Sequence, residues 1–302
     1  MIVREALSQA RQALATQGIE DAGLEAEILL RQALKLNRVQ LYLQFDNELG
    51  AEETEELARL TRRRLDGEPA AYITGQREFY GLDFSVTPDV LIPRPETELL
   101  VEAALEFARK RSASTIADIG TGSGAVAISL ALNLPEARIY ATDISPSALQ
   151  IAQVNCRKHG VTDKVILLHG DLLDPVPAPV DLIVANLPYV REGELALVNT
   201  RPFEPSLALN GGVDGLEVIR RLGAQVSDKL CPGGILFLEI GLGQGETATG
   251  FFRHLLPTAV IQLLPDLNSI DRVMSLLLPS AMPAAESLPG SCRSGRTRNP
   301  SR

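Results

Sequence analysis

Residues 117–131 read ADIGTGSGAVAISLA. An apolar run ends at Ile119, glycines follow at 120, 122 and 124, and an alanine-rich apolar segment then continues at helical length. This is the pattern of a strand that turns sharply into a helix. Glycine allows the turn and lets a ligand approach the main chain, while the start of the helix offers N–H groups without internal partners. The next apolar run ends in ATDIS, residues 141–145, which places Asp143 where a carboxylate can accept both hydroxyls of a ribose.

Further strands are expected at 138–142, 165–168, 182–185, 235–240, 259–264 and 272–278, besides 115–119, with helical patterns among them. Continuous apolar runs of this kind imply a mostly parallel sheet covered on both faces, with ligands at the carboxyl ends of its strands. Upstream, the spacing of Val3, Leu7, Ala10 and Leu14 predicts a helix ending near Gly18, and a second is expected over 24–34. A third, GAEETEELARLTRRRLDG, carries glutamates in its early turns and Arg62, Arg63 and Arg64 in its last, matching the helix dipole. Those arginines read either as a partner contact or as a solvated helix end. Between Gly67 and Pro95 the texture changes to short β-type runs, with REFYGLDFSV predicting a hairpin that turns near Gly81. A helix is expected from Glu96 to Lys110. The segment after 278, rich in Pro, Ser, Gly and Arg, is expected to be disordered.

The glycine pattern alone does not choose a cofactor, because Gly120, Gly122 and Ala125 also satisfy the dinucleotide form. Asp118 favours S-adenosylmethionine: its negative charge repels a pyrophosphate and can hold a methionine ammonium. Alternatively, it is a strand-end carboxylate that bonds loop amides. The third strand leads into HGDLL, residues 169–173, where Asp171 or the Leu172 backbone can meet an adenine edge.

The fourth strand ends in VANLPYV, residues 184–190. In such a sheet this strand lies beside the first, so Asn186 would sit near the reactive sulfonium. A planar amide or aromatic NH₂ is a poor nucleophile, and carbonyl oxygens that accept its hydrogens stabilise the charge that develops on nitrogen. The Asn186 side chain and the Leu187 carbonyl suit that task if Pro188 fixes the turn, and Tyr189 can pack a planar group. Asn186, Pro188 and Tyr189 are therefore the expected catalytic residues, and Asn186 to Tyr189 the expected substrate grip.

The composition sets outer limits. The chain has 302 residues, is 45% hydrophobic and carries a net charge of −9, enough apolar content for a sizeable core and an unfavourable balance for neutralising many nucleic-acid phosphates. No run approaches membrane-spanning length and the start lacks a signal-peptide core, so a cytoplasmic location is expected. Cys156, Cys231 and Cys292 lack metal-ligand spacing, and no metal is expected.

Together, the stretches GEPAAYITGQREFYGLDFSVTPDVLIPRPETELLVE, DIGTGSGAVAISLA, ATDIS, NLPYV, FEPSLALNGGVDGLEVIRRL, GGILFLEIG and DRVM resemble the bacterial peptide chain release factor glutamine methyltransferases, the HemK/PrmC-type family. The resemblance spans residues 1–278 and implies an α/β protein: a class I, Rossmann-like S-adenosylmethionine-dependent methyltransferase domain over 96–278, preceded by a helical domain over 1–74 that docks substrate and a hairpin linker over 75–95, with the tail at 279–302. The implied reaction moves a methyl group to the side-chain amide nitrogen of the glutamine in the Gly-Gly-Gln loop of release factors. Carried over by position, Gly120, Thr121, Gly122, Ser123, Gly124, Asp143, Asp171, Leu172 and Asn186 would bind cofactor, and Asn186, Leu187, Pro188 and Tyr189 would hold the glutamine. Leu187 stands where that family usually has proline; a backbone carbonyl is the acceptor there, so the grip survives with a less rigid turn. In PRPETE, either Arg94 and the Glu96–Thr97 pair border the site or Pro95 and the acids start a helix. Glu204 and Pro205 resemble a family segment beside the active site.

Asn-Leu-Pro-Tyr also occurs in adenine-N6 methyltransferases, which is the alternative reading. A basic target-recognition region would accompany it, yet the first 90 residues carry 16 acids and 10 bases, a net of −6. An NAD-linked oxidoreductase rests on the glycine loop alone and would be stabilised by NAD. A catalytically silent binding protein would keep the cleft, and the intact Asn186 weighs against that reading. The expected protein is a monomer that acts on release factors and contacts neither membrane nor nucleic acid directly.

Overall fold

The seven apolar runs form one sheet in a computed structural model that describes residues 1–195 and 203–280. Its strands are β3 (Thr115–Ile119), β4 (Arg138–Asp143), β5 (Val165–His169), β6 (Val180–Ala185), β7 (Leu230–Glu239), β8 (Val260–Pro265) and β9 (Asp271–Leu277), in the order β5-β4-β3-β6-β7-β9-β8. The first five run parallel, while β9 pairs antiparallel with both β7 and β8. Strand order reverses between β3 and β6, the position where a doubly wound sheet opens a crevice.

Alternation along the strands divides two cores. Ile116, Leu182, Val184, Ile235 and Phe237 face α6 (Glu98–Arg111) and α7 (Ala125–Asn133). Ala117, Ile183, Ala185, Leu236 and Leu238 face α9 (Glu217–Lys229) and α10 (Gly245–Leu255). Helix α8 (Pro146–Lys158) packs against β4 and β5. The central strands are buried on both sides, which is why the sequence there reads as apolar runs instead of alternating ones.

Ahead of the sheet, α1 (Val3–Thr16), α2 (Ala22–Leu34), α3 (Arg38–Leu43) and α4 (Ala51–Leu65) close a separate core around Leu14, Leu29, Leu30, Leu41 and Leu60. Helix α3 carries no clear apolar period and was not anticipated; an Asn37 capping box defines its start. Two of the three arginines ending α4 are used internally. Arg64 pairs with Glu25 at 2.5 Å and Arg63 with Glu68 at 2.5 Å, leaving Arg62 for solvent or a partner.

The region after Gly67 differs from expectation at one point: Ala70–Thr74 forms a short helix, α5, which Pro69 precedes and Gly75 ends in the left-handed conformation. The hairpin follows as β1 (Gln76–Phe79) and β2 (Leu82–Ser85), with Tyr80 and Gly81 both at positive φ, the two-residue turn that suits strand twist. Phe79 and Phe84 bury the hairpin against the sheet domain. The Asn155 side chain of α8 also accepts from Ser85 N–H (2.8 Å) and donates to the Ser85 and Ser123 carbonyls (2.9 Å each), tying the hairpin to the glycine loop. Helix α6 begins with a tight turn over Pro95–Thr97, so PRPETE does start a helix. No helix among the described residues is long and apolar enough to cross a membrane. Cys292 and the tail from residue 281 lie outside the described residues.

Candidate active site

The crevice between β3 and β6 opens into a cleft at the carboxyl ends of the strands. Its lining includes Gly120, Thr121, Gly122, Ser123, Asp143, Asp171, Leu172, Asn186, Leu187 and Pro188. Residues from four strand ends are therefore brought together as the sequence reading required. Gly124 and Tyr189 lie outside that lining. A Cβ at Gly124 would meet Ile128 at 3.1 Å and Ala152 at 3.3 Å, so this glycine lets α7 pack against α8.

The glycine loop is built around two carboxylates. Asp118 is buried, and one oxygen accepts from Thr121 Oγ1 (2.7 Å) and Ala127 N–H (3.1 Å), a loop hydroxyl and an amide of the first turn of α7 where its alternative reading expected loop amides. Both bonds fall on Oδ2, which leaves acceptor capacity for a ligand. Burial pushes its carboxyl up to about 6 against those two bonds, and Asp143 adds to the rise. Asp143 accepts Gly122 N–H on one oxygen (2.8 Å) and Ser145 N–H on the other (2.9 Å), retaining a lone pair on each. Gly122, at φ +55°, has open space where a Cβ would stand, with only the Gly120 carbonyl at 4.0 Å. Asp171 is ion-paired with Arg221 of α9, which also lines the cleft. Leu172 adopts φ +48°, and its carbonyl accepts from Thr142 Oγ1 at 2.9 Å.

The Asn186–Tyr189 turn is held from beneath by the glycine-rich segment 209–215. Val190 N–H donates to the Leu209 carbonyl (2.9 Å), Gly211 N–H to the Val190 carbonyl (2.8 Å), and Gln244 Nε2 to the Tyr189 carbonyl (2.9 Å). Leu187 is 3% exposed and reaches under Gly120, where a Cβ would come within 3.2 Å of its Cδ2. Packing and these backbone bonds thus supply rigidity at the position where the resemblance expects proline.

One participant, Glu239, escaped the sequence reading, and three that the reading left open, Thr97, Arg94 and Glu204, find their partners here. Glu239, at the end of β7, is 2% exposed and accepts from Thr97 Oγ1 (2.7 Å) and Tyr189 Oη (3.4 Å). Thr97 in turn accepts from Asn186 Nδ2 at 3.0 Å. Arg94 donates to both oxygens of Glu204 (2.8 and 2.6 Å), joining PRPETE to FEPS across the cleft mouth. The available signal was a single acid inside the apolar run ILFLEI at 235–240, since an unpaired carboxylate is rarely tolerated there.

Burial raises Glu239 from the ordinary 4.5 to about 7 and Asp118 to about 6, and it also raises Asp143. Each group holds its proton more tightly folded than unfolded, so its stabilisation is complete below about pH 4 and is lost as pH rises through the folded value. Between pH 5 and 8 the ligand-free protein should therefore lose stability, with Glu239 contributing on the order of 3 kcal/mol. Thermal melting across that range checks the slope, and Glu239→Gln should flatten it.

Four aspartates, Asp89, Asp118, Asp143 and Asp171, line one cleft, and with only Asp171 paired to an arginine of that lining the balance repels a pyrophosphate and complements a cationic ligand with ribose hydroxyls. With this sheet order and an antiparallel final strand, the fold and cleft define a class I methyltransferase. The catalytic domain of hMettl16 in complex with a MAT2A 3′UTR hairpin shares the fold, at 15% identity, covering 76% of this chain and 83% of that one with a TM-score of 0.52. Family models match residues 5–75 as the PrmC N-terminal domain and 95–204 as the methyltransferase small domain. The release factor glutamine methyltransferase of Moorella thermoacetica is 46% identical over 90% of this chain and 97% of that one. That of Geobacter sulfurreducens is 43% identical over 90% and 95%. The chain belongs to the release factor glutamine methyltransferase family.

Proposed function

We propose that this protein transfers a methyl group from S-adenosylmethionine to the side-chain amide nitrogen of the Gly-Gly-Gln glutamine of peptide chain release factors. The observation that carries the reading is Asn186 at the cleft, with its Nδ2 held by buried Thr97 so that Oδ1 is left for an acceptor amide. Family membership supports the substrate class.

The residues present fit the cofactor. Gly120 to Ser123 form a cradle with room above Gly122, Asp143 retains lone pairs for ribose hydroxyls, and Asp118 balances an ammonium. Leu172 offers a backbone at the adenine edge, while Asp171 is held by Arg221. Bound there, S-adenosylmethionine supplies an electrophilic methyl group. Asn186 Oδ1 and the Leu187 carbonyl accept the two amide hydrogens of the glutamine, aim its nitrogen and stabilise the positive charge as its lone pair is used. Tyr189 serves from behind this grip, through its hydroxyl on Glu239. The helical region over 1–74 is read as the docking surface for the release factor, with the hairpin over 75–95 as linker and 96–278 as the catalytic domain.

Mass spectrometry of the Gly-Gly-Gln peptide, after incubation of a full-length release factor with the protein and S-adenosylmethionine, tests the reading; an unmodified glutamine under conditions of intact cofactor binding overturns it. A second expectation concerns cofactor affinity. A cationic ligand favours ionised Asp118, whose carboxyl sits at about 6, so affinity should rise roughly tenfold between pH 5 and 7 with uptake of the ligand releasing a proton. Calorimetry in buffers of different ionisation enthalpy measures both, and Asp118→Asn should bind more weakly with no such slope.

A further inference from the structure

Glu239 is buried at the carboxyl end of β7, and no salt bridge compensates it. Arg272 of β9, the nearest cation acting on it, is paired with Asp266 at 3.1 Å. Its two partners are hydroxyls: Thr97 donates to Oε2 at 2.7 Å and Tyr189 to Oε1 at 3.4 Å. A leucine or a glutamine would fill such a place at lower desolvation cost. What an ionised carboxylate adds is direction, because it accepts hydrogen bonds and cannot donate them.

That direction passes down a chain of single bonds. Facing an acceptor-only group, the Thr97 hydroxyl must turn its hydrogen to Glu239 and its lone pairs to Asn186. Asn186 can then meet Thr97 only through Nδ2, which is the contact found at 3.0 Å. The amide oxygen takes no part in that bond, and Asn186 lines the cleft. We propose that Glu239 is a positioning residue that, through Thr97, fixes which end of the Asn186 amide faces the acceptor. The inference rests on the reading that Asn186 Oδ1 grips the glutamine amide. With the amide reversed, two NH₂ groups would face each other and the grip would be lost.

The device is sensitive to protonation. A protonated Glu239 can itself donate, freeing the Thr97 hydroxyl to point its hydrogen at Asn186 and the amide to turn. The groups that face Glu239 are Glu96 and Thr97 from the start of α6, Tyr189 after β6, and Arg272 from β9; burial and Glu96 raise its carboxyl, while the two hydroxyls and Arg272 oppose the rise. The balance lies at about 7. Ionised above that value, the chain has one direction; below it, two are open.

The test uses the full chain, S-adenosylmethionine and a full-length release factor, with kcat and KM measured from pH 6 to 8.5 for wild type, Glu239→Gln, Thr97→Val, Thr97→Ser and Asn186→Ala. Wild-type kcat should rise through about pH 7 with KM for the release factor little changed. Thr97→Val should lower kcat roughly tenfold, the effect of losing one orienting hydrogen bond, and abolish the pH step. Thr97→Ser should restore both, and Glu239→Gln should lose the step. If Asn186→Ala abolishes transfer while Thr97→Val and Glu239→Gln keep wild-type kcat and its step, the positioning role is overturned and the active-site reading stands. If Asn186→Ala transfers normally, the active-site reading itself falls. Should Thr97→Val fail to fold, the step in wild type and its loss in Glu239→Gln still decide the matter.

Discussion

Asn186→Ala should reduce methylation of the release factor glutamine at least about 10³-fold, with the protein still folded. Two effects combine. The alanine removes the side-chain carbonyl that accepts one amide hydrogen, and a preorganised acceptor of this kind is worth roughly 10² to 10³ in rate. It also strands Thr97, whose oxygen now accepts from Asn186 Nδ2 at 3.0 Å, and so frees the geometry of the remaining grip at the Leu187 carbonyl. Because the proposed grip at the Leu187 carbonyl and the proposed docking surface are not themselves removed by this substitution, KM for the release factor should change far less than kcat. A melting curve distinguishes loss of chemistry from loss of fold. Activity above about one tenth of wild type would remove Asn186 from the mechanism.

Gly215→Ala should damage both stability and rate, although its residue touches no ligand. Gly215 sits at φ +77°, and a Cβ there would lie 2.4 Å from the Tyr189 carbonyl oxygen and 2.6 Å from Gln244 Nε2. The left-handed backbone and the overpacking together cost on the order of 3 kcal/mol, or roughly 6 to 12 °C in melting temperature. Tyr189 must move or Gln244 must release the Tyr189 and Gly215 carbonyls that it binds at 2.9 and 3.3 Å. Either shift displaces the turn that carries Asn186 and Pro188, and an ångström of misplacement can cost about 10²-fold in rate. Gly243→Ala is the control, because Gly243 has φ +78° but nothing within 4 Å of the added atom. It should show the backbone strain without the clash, losing about 1 kcal/mol and little activity. Equal behaviour of the two variants would show that segment 209–215 does not hold the turn.

The sheet was legible because its central strands are buried on both faces: Ile116, Ala117, Leu182 and Ile183 are all fully buried, so the runs stay apolar apart from single acids such as Asp118 and Glu239. The hairpin was legible from Tyr80-Gly81, whose positive φ pair demands a glycine. Helix α3 was not, since six residues hold less than two turns of pattern and its placement depends on Leu41 reaching the helical core. Helix α5 was hidden among aromatics and glycines that also read as strand. In the candidate site, the glycine loop, Asp143 and Asn186 announced themselves by fixed spacing within single stretches. Thr97 and Glu239 lie 142 positions apart, and Arg94 and Glu204 lie 110 apart. Their pairing is created by tertiary folding alone. Tyr189 shows the same limit: the sequence places an aromatic ring beside the grip, whereas the fold turns its hydroxyl away to Glu239.

Leu187 and Gly120 approach so closely that a side chain at position 120 would meet the one at 187. On the proposed reading position 187 contributes its carbonyl to the site, while its side chain is buried in packing, so exchange there is permitted for a residue that fills the buried space. Position 120 has no such latitude: a Cβ would fall 3.2 Å from Leu187 Cδ2 and 3.5 Å from the Asn186 carbonyl, at φ +72°. A smaller neighbour at 187 would relieve the first contact, but the positive φ, which L side chains rarely adopt, persists. The two positions are therefore epistatic in one direction, and lineages can explore replacements at 187 while 120 is confined to glycine.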